Sequence, residues 1–324
     1  MIKEKGNYAF GGASMAKASK LKSPIPKDKK GNSAERLASL RKKLTSFLTM
    51  KRKIMMLSLP ALVGFCVFYV YPFLRAIAYS FIDNLFSKQF VGISNYVSVL
   101  SNEFFRMALK NTAVFSAISV FFTMLIALIL SIGLVKLSSR FAFLKSFFIM
   151  PYILPTASIV FIWQSIFGVE QYEALTQLDG LSSFFEILPL YLLFTWKNIG
   201  IDVILITSAL MKVTPEVYEA AAVDGASGFR LHFNITLPLI SPSLFFVVVL
   251  TFLNSLKIFK ESYLYYNTNY PPDVAYMIQN YMNNHFYKLN YQNLSCAVVI
   301  LTAVMSLLVY LIYRVEAKTG DYTN

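Results

Sequence analysis

Between Ala113 and Val135 the chain carries no charged residue, and neither does it from Ser146 to Phe167. Apolar runs of about 20 residues are what a helix needs to cross the hydrocarbon core of a bilayer. There every backbone polar group must find a partner within the protein, which a helix achieves within its own segment. Similar runs elsewhere bring the predicted spans to six, at about 54–74, 113–135, 146–167, 187–211, 237–256 and 294–313. The expected fold class is therefore an all-α polytopic membrane protein with six transmembrane helices. Composition points the same way, since only 15% of the residues are charged against about 25% in soluble domains.

The net charge of +13 is unevenly spread. Fifteen of the thirty Lys and Arg lie between Lys3 and Lys53, with three acids, Glu4, Asp28 and Glu35. A transmembrane body of residues 51–324 with little net charge follows a basic tail, residues 1–50, read as mostly disordered and cytoplasmic. Within the tail, Ala34 to Phe47 spaces Leu37, Leu40, Leu44 and Phe47 as an amphipathic helix would. The tail lacks the aromatic interleaving of a nucleic-acid binder, so no nucleic-acid partner is expected. By alternation of six spans, Lys51 to Lys53, Lys136, Arg140, Lys145, Arg314 and Lys318 all fall on one side. The acidic loop with Glu170, Glu173, Asp179 and Glu186 falls on the other. The positive-inside tendency then places both termini in the cytoplasm.

Ionisable and polar residues inside spans are costly and mark pathways. Lys197, Asn198 and Asp202 on the fourth span, with Asn254 and Lys257 at the far end of the fifth, are candidates for a translocation path. Trp163, a further candidate, and Trp196 offer aromatic platforms, although tryptophans also form interfacial belts and Lys197 can snorkel to the interface. Pro151 and Pro155 in the third span loosen its backbone hydrogen bonds and permit a kink.

The longest structured polar interruption is Lys212–Pro242, KVTPEVYEAAAVDGASGFRLHFNITLPLISP. Thr214 is placed to cap a helix, Pro215 fits its first position, and Glu216 and Glu219 put acid near its positive end. Gly225 suits the left-handed residue that stops a helix. Ser227 can cap a second short helix from Gly228 to Phe233. Glu219-Ala220-Ala221, Asp224-Gly225-Ala226 and Ile235-Thr236-Leu237-Pro238 resemble the EAA motif of ABC-importer permease subunits. Pro215 and Tyr218 match its lead-in. Phe90-Val91-Gly92-Ile93-Ser94-Asn95-Tyr96 and the run FIMPYILPTASIVFIW resemble further elements of the same family, in the same order. The overall form is most similar to the carbohydrate-uptake branch, related to the maltose and glycerol-phosphate systems.

The resemblance implies a permease subunit of a type I importer in a bacterial cell membrane, carrying a sugar or related small solute. It implies ABC ATPase subunits, a second and different permease, an extracellular solute-binding protein and membrane lipid as partners. It also implies that residues 212–242 form a cytoplasmic coupling stretch that docks into a groove of the ATPase. Glu219 would pair with a basic residue there, Ala220 and Ala221 would allow close approach, Gly225 would fix the turn, and Asp224 belongs to the same coupling set.

No G-x-x-x-x-G-K-[ST] occurs, nor a nucleophile elbow, a dinucleotide fingerprint or a zinc-ligand cluster. The chain is therefore expected to have no catalytic residue, metal or cofactor, and to draw its energy from another subunit. Cys66 and Cys296 lie in apolar spans, away from any disulfide framework. The alternative is a self-contained secondary transporter or channel, which would call for a paired inverted repeat or ion ligands at mid-membrane. A membrane-embedded enzyme would need a polar catalytic cluster at that depth.

Overall fold

The computed structural model describes residues 53–84, 86–135, 141–168 and 182–320. The basic tail with its Ala34–Phe47 segment, Lys136, Arg140, Glu170, Glu173 and Asp179 lie outside the described residues. The chain divides into two units, Met1–Tyr69 and Val70–Asn324, and every candidate site residue belongs to the second.

Among the described residues five helices are long and apolar enough to cross a membrane, or six if one bent pair counts as a single span. The first, α1 (Lys53–Tyr79), contains a π-helical turn at Cys66–Val70. A short α2 (Ser94–Ser101) precedes α3 (Glu103–Val135). The bent pair is α4 (Phe141–Ile153) and α5 (Thr156–Phe167), which meet at 87°. Then come α6 (Ser182–Leu210), α7 (Pro215–Val223), α8 (Ser241–Ser255), α9 (Phe259–Tyr266), α10 (Ile278–Tyr287) and α11 (Tyr291–Gly320). Among the described residues there is no strand, only an isolated antiparallel bridge between Ile82 and Phe90.

The sharp bend follows from Pro155. Proline lacks the N–H for the next helical bond, and its ring pushes the preceding residue out of the helical region. Leu154 accordingly leaves the helix, and Pro155 takes φ −57° and ψ 127° before α5 starts. Pro151 stays inside α4, so the two prolines act differently.

Helix α6 is the spine of the second unit, packed by α3, α4, α5 and α8. The side of α3 facing inward is a stripe of small residues, Thr112, Ser116, Ser119, Thr123, Ala127 and Ser131, all buried. Steps of three and four residues put them on one face, and their size lets two backbones approach where lipid offers no hydrophobic drive. Thr123 donates to Thr195 at 3.3 Å and Ser131 to the Val203 carbonyl at 3.2 Å, both across to α6. On the other side of α6, Gly200 lies directly beneath α4. A Cβ there would stand 1.6 Å from the Phe148 carbonyl oxygen.

The segment Lys257–Tyr291, which reads as an aromatic loop, is built structure. Helix α9 continues the fifth span to Tyr266, where Asn267 stops it in the left-handed region at φ 51°. Gln164 of α5 donates to the Leu264 and Tyr265 carbonyls at 3.0 and 2.7 Å, supplying partners for a helix end. Helix α10 buries Ile278 and Tyr281 against Phe105 of α3 and Cys296 of α11. Its start is fixed by Thr112, whose hydroxyl accepts from Ile278 N–H at 2.9 Å.

Candidate functional site

Two places in the second unit gather the polar residues of the apolar sequence. The first is a cavity of about 320 Å³ lined by Tyr152, Lys197, Asn198, Asn254, Lys257 and Glu261, with Phe194 and Ile258. Four elements meet there: the end of α4, the middle of α6, the end of α8 and the start of α9. Lys197 and Asn198 reach the cavity from α6 together with Phe194, which also packs on Phe115 of α3. Asn254 joins them from one turn before α8 ends.

Lys197 turns inward, and its side chain is only 19% exposed. Its ammonium donates to Glu261 Oε1 at 2.5 Å and to Thr156 Oγ1 at 3.0 Å. A buried charge needs such a partner, because removing it from water costs several kcal/mol. The pair ties α6 to α9 and, through Thr156, to the first turn of α5 just after the bend. Below it Asn254 donates to Asn198 Oδ1 at 3.1 Å, while Asn198 donates to the Phe194 carbonyl at 2.9 Å. About one turn further along α6, Asp202 Oδ2 accepts from the Thr251 hydroxyl at 2.8 Å. Asp202 Oδ1 is buried with no hydrogen-bond partner among the described residues. These contacts form a polar seam between α6 and α8. It ends at an apolar cluster that includes Val203, Ile206, Ile240 and Val247.

Of the sequence-predicted path residues, Lys197, Asn198 and Asn254 come together on the cavity wall, with Lys257. Asp202 lies deeper on the same seam. Trp163 does not line the cavity. It stacks on Phe167 with ring centroids 5.0 Å apart and tilts against Trp196 at 6.1 Å. Glu261, Thr156 and Tyr152 were not singled out from the sequence. Glu261 sits 64 residues from its partner in a stretch that reads as a loop. Its one signal was a lone acid four residues after Lys257.

The second place is the Lys212–Pro242 stretch at the end of the bundle where α6 stops and α8 begins. Helix α7 starts with Pro215 at its first position, as the sequence leads one to expect. Thr214 does not cap it with its side chain. Its hydroxyl bonds instead to Glu216, holding that carboxylate below the usual range. The helix ends in a Schellman turn. Ala226 N–H donates to the Ala221 carbonyl at 2.9 Å, Gly225 N–H donates to the Ala222 carbonyl at 3.1 Å, and Gly225 takes φ 77°. Three consecutive turns follow, Gly228–Leu231, a π turn His232–Thr236 and Leu237–Leu239. The expected second helix, Gly228 to Phe233, is thus a helical run that leads straight to α8. Glu219, Ala220, Val223, Asp224 and Gly225 are exposed. Ala221 is not: it is 5% exposed, buried within the chain itself. The expectation that Ala221 offers a docking surface is corrected, because one residue's step of about 100° along a helix turns it from Ala220's outer face to the inner one.

Among the described residues no group of His, Cys, Asp and Glu could hold a metal ion.

Comparison with known proteins bears on both places. Residues 124–318 match the family "Binding-protein-dependent transport system inner membrane component", a range that includes the cavity and the Lys212–Pro242 stretch. The chain is 28% identical over 269 residues to the arabinooligosaccharides transport system permease protein AraP of Bacillus subtilis, covering 78% of this chain and 84% of that one. It is 26% identical over 281 residues to the sn-glycerol-3-phosphate transport system permease protein UgpA of Agrobacterium fabrum, covering 81% and 94%. A chain of the bacterial alginate ABC transporter, crystallised in complex with an alginate pentasaccharide-bound periplasmic protein, shares the fold. Its TM-score is 0.65 at 22% identity, over 83% of this chain and 95% of that one. The chain belongs to the family of binding-protein-dependent transport system inner membrane components, and it is a membrane-spanning permease subunit.

Proposed function

We propose that this permease passes a sugar or related small polyhydroxylated solute through its own helix bundle, driven by separate ATPase subunits that dock at Lys212–Pro242. The observation that carries the reading is the cavity itself: carboxamides, a phenol and charged groups gathered inside an apolar bundle, at the head of a polar seam. Apolar surroundings with a few convergent polar groups are the usual form of a small-molecule site. Hydroxyl groups of a solute would exchange hydrogen bonds with Asn198, Asn254 and Tyr152. Relatives named for arabinooligosaccharide and glycerol-phosphate transport support this solute class. The chain has no P-loop, so ATP hydrolysis would be supplied by partners.

In this reading Glu219, Ala220, Val223, Asp224 and Gly225 form the surface that meets the ATPase. Ala221 anchors α7 to the chain behind it. Helix α7 transmits movement because its ends are fixed, by Pro215 at the start and the Schellman turn at the finish. By alternation of the spans Lys145 and Arg314 fall on the side of this stretch, so in this reading it and both termini face the cytoplasm. A second, different permease, a solute-binding protein on the outer side and membrane lipid complete the assembly.

The first test is subunit composition. The chain, tagged at its C-terminus and extracted from its host in mild detergent, should bring down an ATPase and a second permease in stoichiometric amounts. Recovery of the chain alone after gentle crosslinking would overturn the reading. A second test addresses coupling. No atom lies within 4 Å of a Cβ placed on Gly225, so a side chain there meets strain rather than a clash within the chain. The left-handed conformation costs a residue other than glycine about 1–2 kcal/mol. In Gly225→Asp the turn should shift, and ATP hydrolysis should continue while solute uptake falls by about tenfold or more. Wild-type uptake by that variant would remove Gly225 from the coupling surface.

A further inference from the structure

The cavity wall holds two ammonium groups and one carboxylate: Lys197, Lys257 and Glu261. The carboxylate is already engaged. Glu261 accepts from Lys197, which is held on its other side by Thr156. Lys257 has no ion pair among the described residues. Lys257 is exposed at the cavity's edge, so its ammonium is free to exchange water for an anionic group that enters. Beside it, Asn254 spends its amide on Asn198 Oδ1, and no donor meets its own carbonyl oxygen among the described residues. The wall thus offers one free cation and neighbouring groups suited to hydroxyls.

We infer that the cavity selects a polyhydroxylated solute bearing a carboxylate or phosphate group, with Lys257 as the residue that pairs with the anion. The inference rests on the cavity lying on the solute's path, as proposed above, and gives that site a charge preference. An anionic solute would gain an ion pair with Lys257 that a neutral sugar lacks. Lys197 does not compete for it, because Glu261 neutralises it. The same anionic chemistry is presented by a phospholipid headgroup, so the test must separate the two sources.

The assembly isolated through the tagged chain is placed in phosphatidylcholine nanodiscs, and binding is followed by calorimetry. The probes are galacturonate against galactose, and glycerol 3-phosphate against glycerol. The acidic member of at least one pair should bind about 10–100-fold more tightly than its neutral partner. Lys257→Met should erase that difference, and Lys257→Arg should keep it. Equal binding within both pairs, no binding of either acidic probe, or a preference that survives Lys257→Met would overturn the inference. A repeat with added phosphatidylglycerol distinguishes the lipid: if that lipid abolishes the acidic preference, the anion at Lys257 is a headgroup and the solute assignment falls. Uptake by Asn254→Leu tests the path separately. Lost uptake with no acidic preference would leave the path standing without its charge selectivity, and undiminished uptake would remove the path.

Discussion

Gly200→Ala is expected to stop α4 from seating on α6. A Cβ at Gly200 would lie 1.6 Å from the Phe148 carbonyl oxygen and 2.6 Å from its carbonyl carbon. Both atoms are backbone, so no rotamer change can relieve the overlap, and the helices must separate by more than an ångström. Close packing transmits such a shift, because interiors are as dense as organic crystals. Separation would also open the Phe148 contact with the cluster around Val203 and Ile206. It would displace Tyr152, one turn further along α4, from the cavity wall. Overpacking of this kind costs about 1–3 kcal/mol where side chains can adjust, and here the obstacle is main chain, so the loss should lie at the upper end or beyond. The measurement is the thermal midpoint of the purified protein in detergent, with the amount recovered from membranes. Gly133→Ala is the control, since a Cβ there meets nothing within 4 Å. It should match or slightly exceed wild type, because alanine is the better helix former. Wild-type stability in Gly200→Ala would mean that α4 does not rest on α6 in the membrane.

Why Gly200 gave no signal in the sequence shows where reading by pattern stops. The spans are visible because membrane depth forbids charge over a fixed length, and that constraint is local. Helix α3 extends back to Glu103, well before the apolar run at Ala113, because its first turns pack on α2 and α10 rather than lie in lipid. The bend at Leu154 was signalled by Pro155, but a proline announces only the permission to kink. Pro151, four residues earlier, stays within a helix. The Schellman turn after α7 was legible because it is local and demands glycine. Thr214 misled because a hydroxyl next to a helix start has two partners in reach, a backbone N–H and the Glu216 carboxylate, and the sequence cannot rank them. Helices α9 and α10 hid in an aromatic, Asn-rich stretch, since their buried faces are partnered largely by α5 and α3, far away in the chain. The candidate path was half legible: Lys197, Asn198 and Asn254 stood out as polar residues in apolar spans. Glu261, which makes Lys197 affordable, did not.

That pair gives the second large effect. Glu261→Ala would leave the Lys197 ammonium, 19% exposed, with the Thr156 hydroxyl as its remaining partner. Removing one member of a buried ion pair costs about 3–5 kcal/mol, mostly because the other charge stays buried and uncompensated. The loss should be felt in three helices, since the pair joins α6 to α9 and reaches α5 through Thr156. A sharp fall in thermal midpoint is expected, together with new protease sensitivity at the Leu154–Pro155 bend. The double variant Lys197→Met with Glu261→Leu removes both charges, and an apolar pair of similar volume escapes the desolvation cost. It should therefore recover most of the stability lost by Glu261→Ala. Solute uptake should not recover with it, because the cavity wall would have lost a donor and an acceptor together. Stability and transport would then part company at a single pair of positions. A Glu261→Ala midpoint corresponding to less than about 1 kcal/mol of destabilisation would instead place the pair in the class of water-screened surface bridges, and the cavity would be open to solvent in the resting protein.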